Sequence, residues 1–172
     1  MPSTVYTELA VTRACSLILT GLDYCNSVLY GASASSIQVL QRVQNNVARI
    51  VLQAPRRSHA QPLLRELHWL PVEPRIELKV AVLTFKSCSS ATASTYLSRH
   101  IKARVREWTL CSSVVPLLDK PFTRTDFARR AFHCSAPTVR NSLPETIISV
   151  DSLFVIKSRL KTYFFRKASQ WR

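Results

Sequence analysis

Apolar positions recur along this chain at two different spacings. Ile37, Leu40, Val43, Val47, Ile50 and Val51 follow one another mostly at intervals of three and four, the period that gathers side chains on one face of an α-helix. Ser35 or Ser36 is placed to cap that helix and Pro55 to stop it, with Arg56-Arg57-Ser58 as a basic loop beyond. Pro62 suits the first turn of a short helix ending near Leu67. Pro74 suits the first turn of a longer helix reaching about Ser87. In the longer one Ile76, Val80 and Leu83 define one apolar face, and Leu78, Val82 and Phe85 a second. A helix apolar on two faces belongs at the centre of a bundle. Between the two, Trp69-Leu70-Pro71 reads as a rigid turn.

Elsewhere the pattern is shorter. Upstream, Val5, Leu9 and Leu17-Ile18-Leu19 permit a helix that Gly21 is expected to break. A short helix is predicted over 96–101. From Thr109 onward, Val114-Val115, Phe122–Phe127 and Ala131–Cys134 are β-compatible runs separated by Pro116, Pro121 and Pro137. They predict a two- or three-stranded antiparallel ribbon. Asp151 then caps a last helix with Leu153, Ile156, Leu160, Tyr163 and Phe164 on its inner face. The predicted fold class is mainly α: a small helical bundle with a short antiparallel β ribbon and a C-terminal basic amphipathic helix. The expected organisation is an unrelated leader over 1–13, a helical region over 14–106, a ribbon and irregular region over 107–150, and the basic helix over 151–172.

Charge adds direction to this picture. The net charge of +14 is graded: residues 1–50 carry three basic and two acidic side chains, 51–100 seven and three, and 101–172 fourteen and five. A basic gradient of this kind points to a polyanionic partner, the backbone of RNA or DNA, met by the C-terminal half. The candidate phosphate contacts are Arg56, Arg57, Arg124, Arg129, Arg130, Lys157, Arg159 and Lys161, with Lys102, Arg104 and Arg106 in reserve. Trp108, Phe122 and Phe127 interleave with them, and aromatics on a basic surface can stack on unpaired bases.

Several chemistries are excluded. Gly21 and Gly31 are the only glycines, too few for a glycine-rich phosphate cradle or for many turns needing positive φ. The five cysteines include no Cys-x-x-Cys pair, and no His, Cys and carboxylate group has metal-ligand spacing, so no metal or other cofactor is expected. They read as free thiols in a reducing compartment. The apolar run from Ala14 to Leu22 falls far short of the ~20 residues that span a bilayer. A nuclear or cytoplasmic protein, not secreted and with no membrane partner, is the expectation. Catalysis lacks its parts. Asp23, Asp119, Asp126 and Asp151 are the only aspartates and no two are adjacent, whereas a polymerase needs paired carboxylates for two metal ions about 3.5–4 Å apart. Asp23 is expected to be a helix or turn partner. His133-Cys134, as neighbours on a strand, would point to opposite faces and could not act as base and nucleophile. Neither an enzyme nor a small-molecule substrate is expected.

Three blocks, in order, carry a family resemblance. Leu22-Asp23-Tyr24-Cys25-Asn26-Ser27-Val28-Leu29-Tyr30-Gly31 leads into Leu40-Gln41-Arg42-Val43-Gln44-Asn45. Leu63-Leu64-Arg65-Glu66-Leu67-His68-Trp69-Leu70-Pro71-Val72-Glu73-Pro74-Arg75-Ile76-Glu77-Leu78-Lys79 follows. Arg130-Ala131-Phe132, Ala136-Pro137, Asn141-Ser142-Leu143-Pro144 and Asp151-Ser152-Leu153 close the series. Together they resemble the C-terminal, thumb and post-thumb region of reverse transcriptases from non-LTR retrotransposons, LINE elements of the chicken-repeat and jockey type. The resemblance implies a truncated fragment without polymerase or endonuclease, capable at most of weak nucleic-acid binding without sequence preference. In that family the polymerase site lies upstream of these blocks. The chain departs from the pattern at Val139-Arg140, where Leu-Trp is usual, and at Ala128-Arg129, where Gly-Asp is usual. An arginine in place of a buried tryptophan would cost several kcal/mol, as in a copy no longer selected to function. The alternatives are a recruited interaction module, binding a protein through the apolar face that once met the palm, and a translated relic with no function.

Overall fold

The computed structural model describes residues 3–89, 95–104 and 117–169, and these are mainly helical. The chain enters through α1 (Ser3–Ala14), continues through one π turn (Cys15–Leu19) and ends this arm with α2 (Thr20–Asp23). Gly21 does not break the arm: it lies within α2, and the chain stays helical through Asp23. The arm stops at Tyr24, whose backbone is extended, and Cys25, which turns at φ 51°.

After a 3₁₀ turn (Asn26–Leu29) comes α3 (Ala34–Val51), capped by Ser33 rather than Ser35 or Ser36; the Ser33 hydroxyl accepts from the Ser36 amide at 3.4 Å. Then α4 (Ala60–Glu66) and α5 (Val72–Cys88) flank the Trp69 turn. Both α3 and α4 close with a Schellman motif, in which a left-handed residue lets two amides cap the final carbonyls. At α3 the left-handed residue is Gln53, and Ala54 donates to Arg49 O at 2.9 Å. At α4 it is His68, with Trp69 donating to Leu64 O at 2.8 Å while both side chains are buried in one cluster. Glycine scarcity thus did not prevent positive-φ turns. Cys25, Gln53 and His68 make them at a conformational cost of about 1 kcal/mol each.

The remaining elements are α6 (Thr95–Arg99), α7 (Asp126–Arg129), α8 (Phe132–Asn141), α9 (Glu145–Ile148) and α10 (Leu153–Ser169). The expected β ribbon is not there among the described residues. Its first run, Val114-Val115, lies outside them. In the second, Thr125 turns the chain into α7, its hydroxyl accepting from the Ala128 amide at 3.2 Å. The third is the opening of α8, which runs on through Pro137. The missing proline amide costs one helical bond, and burial of Cys134, Ala136, Pro137 and Val139 outweighs it. Among the described residues pairing is limited to a single antiparallel bridge, Ala103 with Leu118. Asn141 of the Asn-Ser-Leu-Pro block clamps it, bonding both the amide and the carbonyl of Leu118 at 3.0 and 2.9 Å.

Two apolar clusters hold the bundle together. One joins Ala14, Leu19, Ala48, Val51, Leu64 and Trp69; Ala10 and Val11 of the expected leader pack on it. The other joins Leu70, Val80 and Ala81 to Val139, Leu143, Ile156, Leu160 and Phe164. Residues from the segments 14–106, 107–150 and 151–172 therefore share one core. The central position expected of α5 holds, since it meets α3, α8 and α10. The inner face predicted for α10 is the buried one, although Ser152 rather than Asp151 accepts its first helical bond, from Ile156.

On α3 the apolar stripe differs from the expectation. The face turned inward is Gln44, Ala48 and Val51, while Val43 is 41% and Ile50 74% exposed. Two neighbouring faces of the helix are apolar, and the bundle covers the one that carries Gln44.

Candidate nucleic-acid interface

The side of the molecule where α10 lies against α5 holds the clearest concentration of unopposed charge. On α10, Lys157 and Lys161 are one helical turn apart and both exposed. On α5, Lys79 and Lys86 lie two turns apart. All four line one cavity of about 490 Å³ between the helices, walled by Leu78, Val82, Leu83 and Phe165. None of these four lysines has an acidic partner among the described residues. The Lys161 ammonium stands 5.9 Å from the Phe165 ring centre, within cation–π range.

Part of the cavity lining is polar. Asp23 accepts from Arg75 Nη1 at 2.9 Å and from the Asn26 side-chain amide at 3.3 Å. Arg75 also reaches the Leu70 carbonyl of the turn through Nε and Nη2, at 3.3 and 3.2 Å. Asp23 is thus a turn partner in this fold, joining the first sequence block to the second. Asn26 is buried, and because only its amide nitrogen can donate to a carboxylate, Oδ1 is the end left without a partner.

The eight residues singled out from the sequence do not form one surface. Lys157 and Lys161 belong to the cleft. Arg159 lies on the opposite flank of α10 and donates to the Thr146 carbonyl of α9, lining a separate cavity with Arg166. Arg56 and Arg57 are exposed in the turn after α3, and neither lines the cleft. Arg129 is exposed and pairs with Asp126 at 3.2 Å. Arg130 lays its aliphatic stem over Gly31; a Cβ at that residue, which sits at φ +69°, would come 3.0 Å from Arg130 Cγ. This contact ties the first block to the third. Arg124 is exposed between Phe122 and Phe127, themselves exposed. Lys102 and Arg104 flank the Ala103 bridge, and Arg106 and Trp108 lie outside the described residues. Lys167 is neutralised by Glu77 at 2.7 Å.

Sequence reasoning missed Lys79 and Lys86, because the two apolar faces dominate the pattern of α5. Lys79, Val82 and Lys86 at helical spacing were the available signal. On α8, His133 and Cys134 are helical neighbours rather than strand neighbours. Cys134 is buried, and desolvation pushes its thiol above the ordinary value, partly offset by Lys120. Arg140 is half-buried on the same helix and pulls the Cys88 thiol down against a larger rise from burial. Among the described residues no group of three or more His, Cys, Asp or Glu could hold a metal ion, and no helix is long and apolar enough to cross a membrane. Comparison with protein-family models, with curated proteins and with solved structures finds no match for this chain.

Proposed function

We propose that this chain is a non-catalytic nucleic-acid-binding module that holds a phosphate backbone in the cleft between α5 and α10. The observation that carries the reading is the set of four lysines, from two helices, lining one cleft with no acidic partner among the described residues. Like charges gathered without ion-pair partners of their own repel one another, and a polyanion relieves that repulsion while releasing its own counterions. Such binding reads no sequence through the backbone itself. The resemblance to the thumb region of LINE-type reverse transcriptases is consistent with it, since a thumb grips a template–primer duplex by its phosphates.

The test is the salt dependence of oligonucleotide binding. Changing Lys79, Lys86, Lys157 and Lys161 to Gln together should weaken binding to all sequences. The slope of log affinity against log salt should shrink by roughly 0.7–0.9 for each phosphate no longer neutralised. Arg159→Gln should leave the slope unchanged, because that side chain is engaged with α9. An unaltered slope in the four-lysine variant would remove the cleft from consideration.

A second reading rests on Val39, Val43 and Ile50, which form an exposed apolar stripe along α3. A recruited interaction module would bind a protein there, with affinity that salt changes little.

A further inference from the structure

The cleft is not uniformly basic, and its polarity points to more than a phosphate track. Lysines line it on both helices, Leu78, Val82, Leu83 and Phe165 give it apolar walls, and Asp23, paired with Arg75, adds an acceptor to the same lining. The Asp23 side chain there is 45% exposed. Its two oxygens already take one bond each from Arg75 and Asn26, which leaves lone pairs facing the cavity. Asp23 and Arg75 neutralise each other, so this part of the lining draws a phosphate less than the unpaired lysines do. What complements apolar walls followed by an acceptor is a flat apolar ring with an N–H donor on its edge.

Resting on the backbone reading above, we propose that the cleft takes a single unpaired nucleotide, its phosphates on the lysines and its base inserted between Leu78, Val82 and Phe165. An exocyclic amino group of that base donates to Asp23. A cavity of about 490 Å³ falls in the range of pockets that enclose small organic groups. A duplex cannot use it, because its bases are stacked and paired. Carboxylates accept from the cytosine amino group in the same manner on duplex edges.

Oligo(dC) and oligo(dU) of equal length make the comparison, since their bases differ only at C4, amino against carbonyl, and at the adjoining N3, acceptor against donor. Uracil offers an N3–H, but two carbonyl oxygens flank it and would face the carboxylate. Measured by fluorescence anisotropy at pH 8, the full chain should bind oligo(dC) about five- to tenfold more tightly than oligo(dU), the lower end of one well-made edge contact. It should also bind oligo(dC) more tightly than a duplex of the same length. Asp23→Asn keeps the size of the side chain and should bring the ratio of dC to dU close to one while the salt slope persists. The ratio in the unsubstituted chain decides the matter even if that variant folds poorly. Equal affinities for dC and dU, with a salt slope that still depends on the four lysines, would overturn base insertion and leave backbone binding standing. Duplex bound as tightly as single strand would also overturn it. Absence of any salt-dependent binding would overturn both.

Discussion

Two glutamines on α3 allow a test of what holds the Trp69 turn, and the more buried one should matter less. Gln44 is fully buried; its amide donates to the Leu70 carbonyl at 2.9 Å and its oxygen accepts from Gln41 at 3.2 Å. Both partners have other bonds. Leu70 O keeps Arg75, and the Gln41 amide keeps Asn45 Oδ1 at 2.8 Å. Gln41, only half-buried, holds the backbone amide of Val72 at 2.9 Å, an orphan donor at the start of α5 beside a buried side chain. Gln44→Leu removes two bonds, each with a net worth of about 1 kcal/mol, and strands neither partner, while the leucine recovers apolar burial. The expected change is within about 1 kcal/mol of zero. Gln41→Leu leaves the Val72 amide without its acceptor and should cost about 1–3 kcal/mol. For a chain of this size each kcal/mol lowers the melting temperature by roughly 2–4 °C. Urea and thermal melts followed by circular dichroism read both. If Gln44→Leu destabilises more than Gln41→Leu, burial rather than the number of stranded partners governs the site, and the reasoning is wrong.

Gln53→Gly should stabilise by about 0.5–1 kcal/mol, because relief of left-handed strain exceeds the entropy that glycine adds to the unfolded chain; a lower melting temperature would refute this. Burial, then Glu77, raises the Tyr30 phenol above its ordinary 10.0 against an opposing pull from Lys167. The folded state therefore retains that proton longer, and stability present below the ordinary value falls as pH rises past it. Tyr30→Phe should lose less stability than the parent between about pH 9 and about pH 11 in melts made at each pH. Cys25 is exposed and Cys134 buried, so peptide mapping after brief alkylation should find Cys25 modified first. Equal labelling would mean that α8 opens readily.

How much of this was legible depended on whether one element could be read without its neighbours. The helices over Ala34–Val51, Val72–Cys88 and Leu153–Ser169 were, because each carries its own apolar period. Their helical character needed no tertiary information. The stretch 132–143 was not, although Phe132, Ala136, Val139 and Leu143 have helical spacing. In the sequence Pro137 outweighs that spacing, and only the packing of α8 against α5 reverses the order. The exposed stripe of Val39, Val43 and Ile50 shows the opposite limit. Period alone cannot say which of two apolar faces a bundle will cover. For the interface, Lys157 and Lys161 were found from spacing on one helix, whereas pairing them with Lys79 and Lys86 required knowing that α5 and α10 are adjacent.

Trp69 and Leu70 are consecutive, yet each belongs to a different core cluster. The first cluster is built wholly from α1, the π turn, α3, α4 and Trp69, all close in sequence. The second needs α8 and α10, far along the chain, and so must close a long loop before any of its burial is gained. The order of folding follows. The early cluster can condense while later residues are still being synthesised, and docking of Trp69 then fixes where Leu70 and α5 begin. Until α10 arrives, the apolar faces of α5 stay open to water or to other chains. Native-state hydrogen exchange should divide along the same line, with amides of α3 and α4 and those of α8 and α10 opening as separate cooperative units.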